Sequence, residues 1–360
     1  MGDSRWLFLF IRAIPCSYFC KHCLFAPSKR FKAMEYNTIV SAIQPFVTFQ
    51  QKSRYAPYQD LAVYVGDCAL NYQDFPKVVR FLKTHRIEGW QSVASDGFRK
   101  RSRQEWLSYL QDLKRAGTEI LEFSLYGRGD THDWFAGFRG SYEALHTVAG
   151  LWYEMGGRVL WSIFIHKRNL AELPHLRQEL REKHRAESDI VVWGYLGWGT
   201  RIEELRIEKQ DLEKLDGLSR KEIAHLKTER EWVGILGQSS EPPFSPAPDV
   251  IRLAIDGSGE VKIPYITAIS GLDGISCGNV LSMPVTAVLE KWEQIYTAWV
   301  SAYPSVGYLC QNYGDVGNEH LYDEQSVIRK WCAAFESDTK RPTLAAADSG
   351  CAARESGREL

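Results

Sequence analysis

The sequence predicts an α/β protein, a partial (β/α)6 barrel with parallel strands over residues 1–216, followed by a small α+β extension over 217–337. Three observations lead there. Short apolar runs alternate six times with longer helix-like segments, the pattern of a parallel sheet whose strands are joined by helices. Three cysteines, Cys16, Cys20 and Cys23, stand in a C-x3-C-x2-C spacing directly behind the first apolar run. The alternation stops near residue 217, and a linker-like stretch at 238–248 (QSSEPPFSPAP) precedes a hairpin pattern.

Residues 6–11 (WLFLFI) form a continuous apolar run, as expected of a strand buried on both faces. The cysteine loop follows. Residues 31–50 carry apolar residues at helical spacing, including Ile39, Ile43 and Phe46, with a kink or break expected at Pro45. Strand two covers 61–65 and ends in Gly66 and Asp67. A helix over 72–85 turns Val78, Val79 and Leu82 inward. Strand three covers 90–94 and ends in Ser95, Asp96 and Gly97. The segment 104–116 (QEWLSYLQDLKRA) is an amphipathic helix stopped by Gly117. Strand four covers 120–126. A helix over 141–155 starts on Ser141 as N-cap and stops at Gly156 and Gly157. Strand five covers 159–166 and its helix 170–184. Strand six covers 189–196, and a charged helix over 201–215 carries acid–base pairs at helical spacing. Beyond it, 221–232 reads as helical, 251–255 and 260–265 as a hairpin, and 284–297 as a helix. From 338 to 360 the chain is polar and small, and disorder is expected.

An apolar fraction of 44% in 360 residues, with 12 Trp, 17 Tyr and 16 Phe, is enough for a sizeable core. The net charge of −1 and the lack of a basic stripe argue against nucleic acid as partner. No apolar run approaches membrane-spanning length, and 6–11 is too short for a signal h-region. Eight cysteines in such a chain point to a reducing compartment, so a cytoplasmic location is expected.

Three thiolates in one tight loop suit an iron–sulfur cluster or a metal better than a disulfide. Four cysteines would complete every iron of a 4Fe–4S cube, whereas three leave one iron open to a substrate or cosubstrate. The alternative is a structural zinc site in which His22 is the fourth ligand. In a parallel α/β barrel the loops after the strands emerge on one face, so the cysteines share that face with Gly66, Asp67, Ser95, Asp96, Ser124, Tyr126 and Asn169. Tyr126, Trp134, Trp161, Trp193 and Trp198 are candidate aromatic walls of a dry pocket there.

The C-x3-C-x2-C spacing resembles that of the radical S-adenosylmethionine (AdoMet) superfamily, and the resemblance runs over about residues 5–200. The family's Gly-Gly-Glu-like turn after strand two corresponds to Val65, Gly66 and Asp67, which keeps a carboxylate on a shorter arm for the AdoMet amino group. Its Thr-Asn-Gly-like turn resembles Ser95, Asp96 and Gly97, placed for the ribose. Its strand-four stretch matches Ser124, Leu125, Tyr126 and Gly127, its His-Asp pair His132 and Asp133, its Gly-Ser-aromatic helix start Gly140, Ser141 and Tyr142, and its later Asn the residue Asn169. The resemblance implies one 4Fe–4S cluster on Cys16, Cys20 and Cys23, AdoMet, and an external one-electron donor of the flavodoxin or ferredoxin type. Reductive cleavage of AdoMet would give a 5′-deoxyadenosyl radical that abstracts hydrogen from a small-molecule or short-peptide substrate, in natural-product or peptide-modification biosynthesis.

The region around Asp256 to Pro264, with Cys277, Gly278, Asn279, Val280 and Trp292, resembles the start of the family's SPASM or twitch extension. Tyr265 stands where a cysteine is expected, and Cys277, Cys310 and Cys332 lack C-x2-C spacing, so the extension is expected to hold no auxiliary cluster. A lone thiol there, Cys310 first, then Cys277 or Cys68, is a candidate hydrogen-atom donor; a buried inert thiol is the other reading of each. The alternatives to a natural-product enzyme are a sulfatase-activating type of side-chain maturase and a non-catalytic Cys/His metal-binding protein.

Overall fold

The computed structural model describes residues 5–11, 13–14, 16–22, 33–52, 58–66, 68–89, 91–94, 101–184, 190–193, 200–215, 223–245, 248–263 and 274–339. Six parallel strands carry the first part of the chain: β1 (Arg5–Ile11), β2 (Tyr58–Tyr64), β3 (Ser92–Ala94), β4 (Ile120–Leu125), β5 (Arg158–Phe164) and β6 (Ile190–Trp193). β1 pairs with β2, and β3, β4, β5 and β6 pair in sequence. Between these two sheets Glu88 extends the edge of β2, its amide donating to the Leu61 carbonyl at 3.1 Å and its carbonyl accepting from the Val63 amide at 3.0 Å. Gly89 permits that approach. Its φ is +109°, and a Cβ there would stand 2.0 Å from the Val63 carbonyl oxygen.

The helices between these strands are α1 (Tyr36–Lys52), α2 (Phe75–Thr84), α3 (Arg103–Ala116), α4 (Gly129–Ala136), α5 (Ser141–Glu154) and α6 (Leu173–His184). Their apolar stripes cover one face of the sheets. Ile43 and Phe46 of α1, Val78 and Leu82 of α2, Leu110 of α3 and Trp152 of α5 share a core with Leu9, Val63, Phe123, Leu125, Trp161 and Ile163. The alternate strand positions tell a different story. Phe8, Tyr64, Glu122, Ser124, Ser162 and Phe164 are only half buried. Side chains alternate across a strand, so these residues form the face opposite the helices, which the helices leave open.

Several local expectations are corrected by tertiary contacts. α1 begins at Tyr36 and runs unbroken through Pro45, which removes one donor without ending the helix. α2 starts at Phe75, after a 3-10 turn over Ala69–Asn71. Gly140, with φ +84°, caps α5, while the Ser141 hydroxyl donates to Asp133 at 2.8 Å. The charged helix expected over 201–215 is two 3-10 turns, Thr200–Leu205 and Lys209–Lys214. The segment between them pairs with a distant part of the chain: Leu321 donates to Ile207 and Lys209 to Glu319. The helix expected over 221–232 is likewise divided. Lys227–Thr228 forms β7, paired with β11 (Leu321–Tyr322), and Thr228 and Glu231 make a capping box that starts α7 (Glu229–Leu236).

The expected hairpin is present as β8 (Val250–Ile255) and β9 (Glu260–Lys262), with β10 (Ser276–Asn279) antiparallel to β9. β8 also pairs in parallel with β1, from Trp6 beside Val250 to Ile11 beside Ile255. The sheet order is therefore β10-β9-β8-β1-β2, and the hairpin extends the sheet that carries the cysteine loop. The helix expected over 284–297 is α8 (Val285–Val300), followed by α9 (Val306–Tyr313) and α10 (Glu324–Thr339). α10 keeps residues 338 and 339 helical, and 340–360 lie outside the described residues. Among the described residues no helix is long and apolar enough to cross a membrane.

Candidate active site around the cysteine loop

The cysteine loop leaves the C-terminal end of β1 and lies on α4. The Phe19 amide donates to the Ala136 carbonyl at 2.9 Å and the Lys21 amide to the Phe135 carbonyl at 3.0 Å. These are two of the carbonyls that a helix C-terminus leaves without intrahelical partners. Gly137 ends α4 in the left-handed region, at φ +66°, and a Cβ there would lie 2.7 Å from the Phe19 carbonyl oxygen.

Beneath the loop is a small aromatic core of Tyr18, Tyr126, Phe135, Ala136 and Ile202, against which Cys16 and Cys20 pack. Tyr126 stacks on Phe135 with ring centroids 4.4 Å apart. Its backbone is held from both sides: its amide donates to His132 Nδ1 at 3.3 Å, and its carbonyl lies 2.7 Å from His166 Nε2. The sequence marks Tyr126 as a cofactor contact, but the structure gives it a further task, as a platform under the loop. Its hydroxyl reaches His22 Nε2 at 3.5 Å.

His22 packs among Tyr126, Phe135 and Phe164. Burial, with His166 nearby, lowers its pKa to about 4, so the ring is neutral at pH 7. Its Nδ1 is buried with no hydrogen-bond partner among the described residues. Cys16 and Cys20 are half buried, and the Tyr18 amide lies 3.4 Å from Cys16 Sγ, placed to donate to a thiolate. Soft sulfur ligands on one short loop, supported by a backbone N–H, fit an iron–sulfur cluster. Cys23 lies outside the described residues, and the described residues alone contain no group of three metal-binding side chains.

The other strand-end residues divide into two sets. Gly66 has φ +54° and sits beside the end of β1, where a Cβ would be 3.5 Å from the Ile11 carbonyl oxygen. Two residues on, Cys68 Sγ donates to the Ile14 carbonyl at 3.2 Å, tying this turn to the start of the cysteine loop. Ser124 is on the open face at the end of β4, level with Ser162 of β5. Asn169 is fully buried, and its amide holds its own turn by accepting from the His166 amide and donating to the Phe164 carbonyl. Asp67, Ser95, Asp96 and Trp198 lie outside the described residues.

Trp161 and the candidate thiols Cys310 and Cys277 lie in packed cores. Trp161 is fully buried among the helices, on the face away from the opening. Cys310 is 1% exposed in a separate core with Trp232, Tyr322 and Trp331, its Sγ directed at the Val233 carbonyl 3.7 Å away. Cys277 is fully buried on the helix side, and burial raises its pKa to about 12. A hydrogen donor must face its substrate. Both thiols are enclosed by packing instead, as is Cys332. Not foreseen from the sequence are α4 and two polar residues of the open face, Glu122 and Ser162. Glu122, whose carboxylate accepts from the Ser92 hydroxyl, stands two residues before Ser124. The alternation ILEFSL of β4 carried that signal.

No protein-family model and no curated protein matches the chain. Solved structures do match. The native anSMEcpe structure with bound AdoMet is 10% identical over 95% of this chain and 99% of that one, with a TM-score of 0.55. Streptococcus suis SuiB bound to S-adenosylmethionine is 11% identical over 84% and 68%, with a TM-score of 0.55. SuiB bound to its precursor peptide SuiA is 10% identical over 90% and 76%, again at 0.55. These neighbours are radical SAM enzymes, and the chain has their fold.

Proposed function

We propose that the protein is a radical SAM enzyme that modifies a peptide, in natural-product or peptide-modification biosynthesis, with its barrel core over 1–216 and a cluster-free SPASM/twitch-like extension over 217–337. The observation that carries this reading is a C-x3-C-x2-C loop at the end of β1, held on α4, in the fold of enzymes solved with AdoMet. Cys16, Cys20 and Cys23 hold the cluster, which when bound supplies the electron for reductive cleavage of AdoMet. Gly66 and Asp67 receive the AdoMet amino group, and Ser95, Asp96 and Ser124 its ribose and carboxylate, while Tyr126 and Asn169 fix the surrounding turns. The half-buried face bearing Phe8, Tyr64, Glu122 and Ser162 takes the substrate. Peptide complexes of two structural neighbours, with Cp18Cys and with SuiA, favour a peptide over a small metabolite. An external carrier in the cytoplasm supplies the electron.

The experiment is metal and sulfide analysis after anaerobic reconstitution. A brown protein with about four irons and four sulfides per chain, lost in Cys16→Ala, supports the reading. Stoichiometric zinc with no visible absorbance overturns it in favour of a Cys/His metal site.

A further inference from the structure

The cysteine loop reaches the surface at a patch that is both apolar and basic. Phe19, between Cys16 and Cys20, is 63% exposed although it belongs to the loop that packs on α4. On α4, against which the loop packs, Trp134 is half buried, with Lys21 Nζ 4.2 Å and Arg168 Cζ 3.8 Å from its ring centroid. Such cation–π contacts hold two long side chains in place without neutralising them.

Neither Lys21 nor Arg168 has a carboxylate partner among the described residues. The acids nearby are engaged elsewhere. Asp133 accepts from the Gly140 and Tyr142 amides and the Ser141 hydroxyl; Glu172 from Thr131 and the Arg128 amide; Glu208 pairs with Lys167. Asp130 is at the opposite end of α4 from the loop. An exposed ring on the loop, together with two cations held over a half-buried tryptophan and paired with no carboxylate among the described residues, is a surface suited to an acidic partner, with the charges steering encounter and the ring burying apolar area.

We propose that Phe19, Lys21, Trp134 and Arg168 form the docking surface for an acidic one-electron carrier protein. This rests on the cluster reading above. The loop that bears the thiolates is itself the contact, so the carrier meets the chain where the electron must enter. One electron leaves the carrier's reduced flavin or iron–sulfur centre and is taken up by the cluster; no bond is made or broken at the surface. Redox complexes of this kind are small and short-lived, which fits a four-residue patch better than a broad apolar interface.

The test uses the reconstituted protein and a flavodoxin as carrier, with titanium(III) citrate as a small reductant that needs no docking surface. Binding of oxidised flavodoxin is measured by calorimetry across salt concentrations, and oxidation of its hydroquinone by stopped flow. The expected result is that Lys21→Glu with Arg168→Glu lowers both flavodoxin affinity and electron-transfer rate at least tenfold and flattens their salt dependence. Reduction by titanium(III) citrate stays at the wild-type rate. Arg168→Glu alone, which leaves the cysteine loop untouched, gives a smaller loss of the same kind, and Arg168→Lys restores it. Wild-type binding and rates in the charge-reversed variants overturn the proposal, as does an equal loss with both reductants. A wild-type protein that titanium(III) citrate cannot reduce overturns the cluster reading itself.

Discussion

The Phe19 carbonyl oxygen and Gly137 are in such close approach that a Cβ on Gly137 would stand 2.7 Å from that oxygen. Cysteine loop and α4 therefore meet at a point where only glycine fits, both for space and for its φ of +66°. Gly137→Ala is expected to cost about 1–3 kcal/mol in strain and to push the loop off α4. Iron uptake on reconstitution should fall well below wild type while far-UV circular dichroism is retained. A variant that loads iron normally would show that the loop does not depend on this contact.

Ser124 faces the side of β4 opposite the described helices. Removing one hydrogen bond to AdoMet by Ser124→Ala should cost about 1 kcal/mol, or about fivefold in Kd. Glu122 is two residues deeper, roughly 6.6 Å along the strand. Glu122→Gln is expected to leave AdoMet affinity unchanged and to impair the peptide reaction. Equilibrium dialysis with AdoMet separates the two, and equal losses in both variants would contradict the assignment.

Cys310 and Cys277 are packed thiols. Alanine at either position should leave AdoMet cleavage at the wild-type level and lower stability by about 1 kcal/mol through loss of a small buried group. Abolished product formation with intact AdoMet cleavage in Cys310→Ala would instead restore the hydrogen-donor role.

Burial holds His132, His146 and His166 at pKa values of about 3, 4 and 4, against the ordinary 6.5. In His146 the neighbouring His184, 2.8 Å away, lowers the value further. The folded protein keeps these rings neutral, whereas the unfolded chain binds a proton at each below about pH 6.5. Their contribution is therefore complete above pH 6.5 and is lost as the pH falls towards 4, by about 1.4 kcal/mol per pH unit for each ring. Urea unfolding at pH 7, 6 and 5 should show the decline, with a shallower slope in His146→Gln. A slope unchanged by that substitution would show that His146 is neutral in both states or charged in both.

The parts of this fold readable from sequence were those set by local pattern. The run WLFLFI gives β1, QEWLSYLQDLKRA gives α3 with its Gly117 stop, and the cysteine spacing gives the loop. What local pattern could not show depends on partners far along the chain. α4 (GDTHDWFA) has little apolar periodicity, and it takes its place by receiving the amides of Phe19 and Lys21. The 201–215 segment carries helical charge pairs, yet pairing with residues 319–321 splits it. The parallel union of β8 with β1 joins residues more than two hundred positions apart, so the hairpin was legible and its place in the sheet was not. At the candidate site, strand-end position marks Gly66 and Ser124, and the structure places them just after β2 and near the end of β4. Glu122 is not legible in the sequence, because a lone acid on a strand gives no sign of its face until the helices are known to cover the other one.

The central claim is tested most directly by reductive AdoMet cleavage. Anaerobically reconstituted protein is reduced in the presence of AdoMet, and 5′-deoxyadenosine is measured by chromatography beside a Cys16→Ala, Cys20→Ala, Cys23→Ala triple variant. The account predicts 5′-deoxyadenosine and methionine from the wild type and neither from the variant. A protein that binds iron and sulfide yet never cleaves AdoMet, with or without candidate peptides, would contradict it.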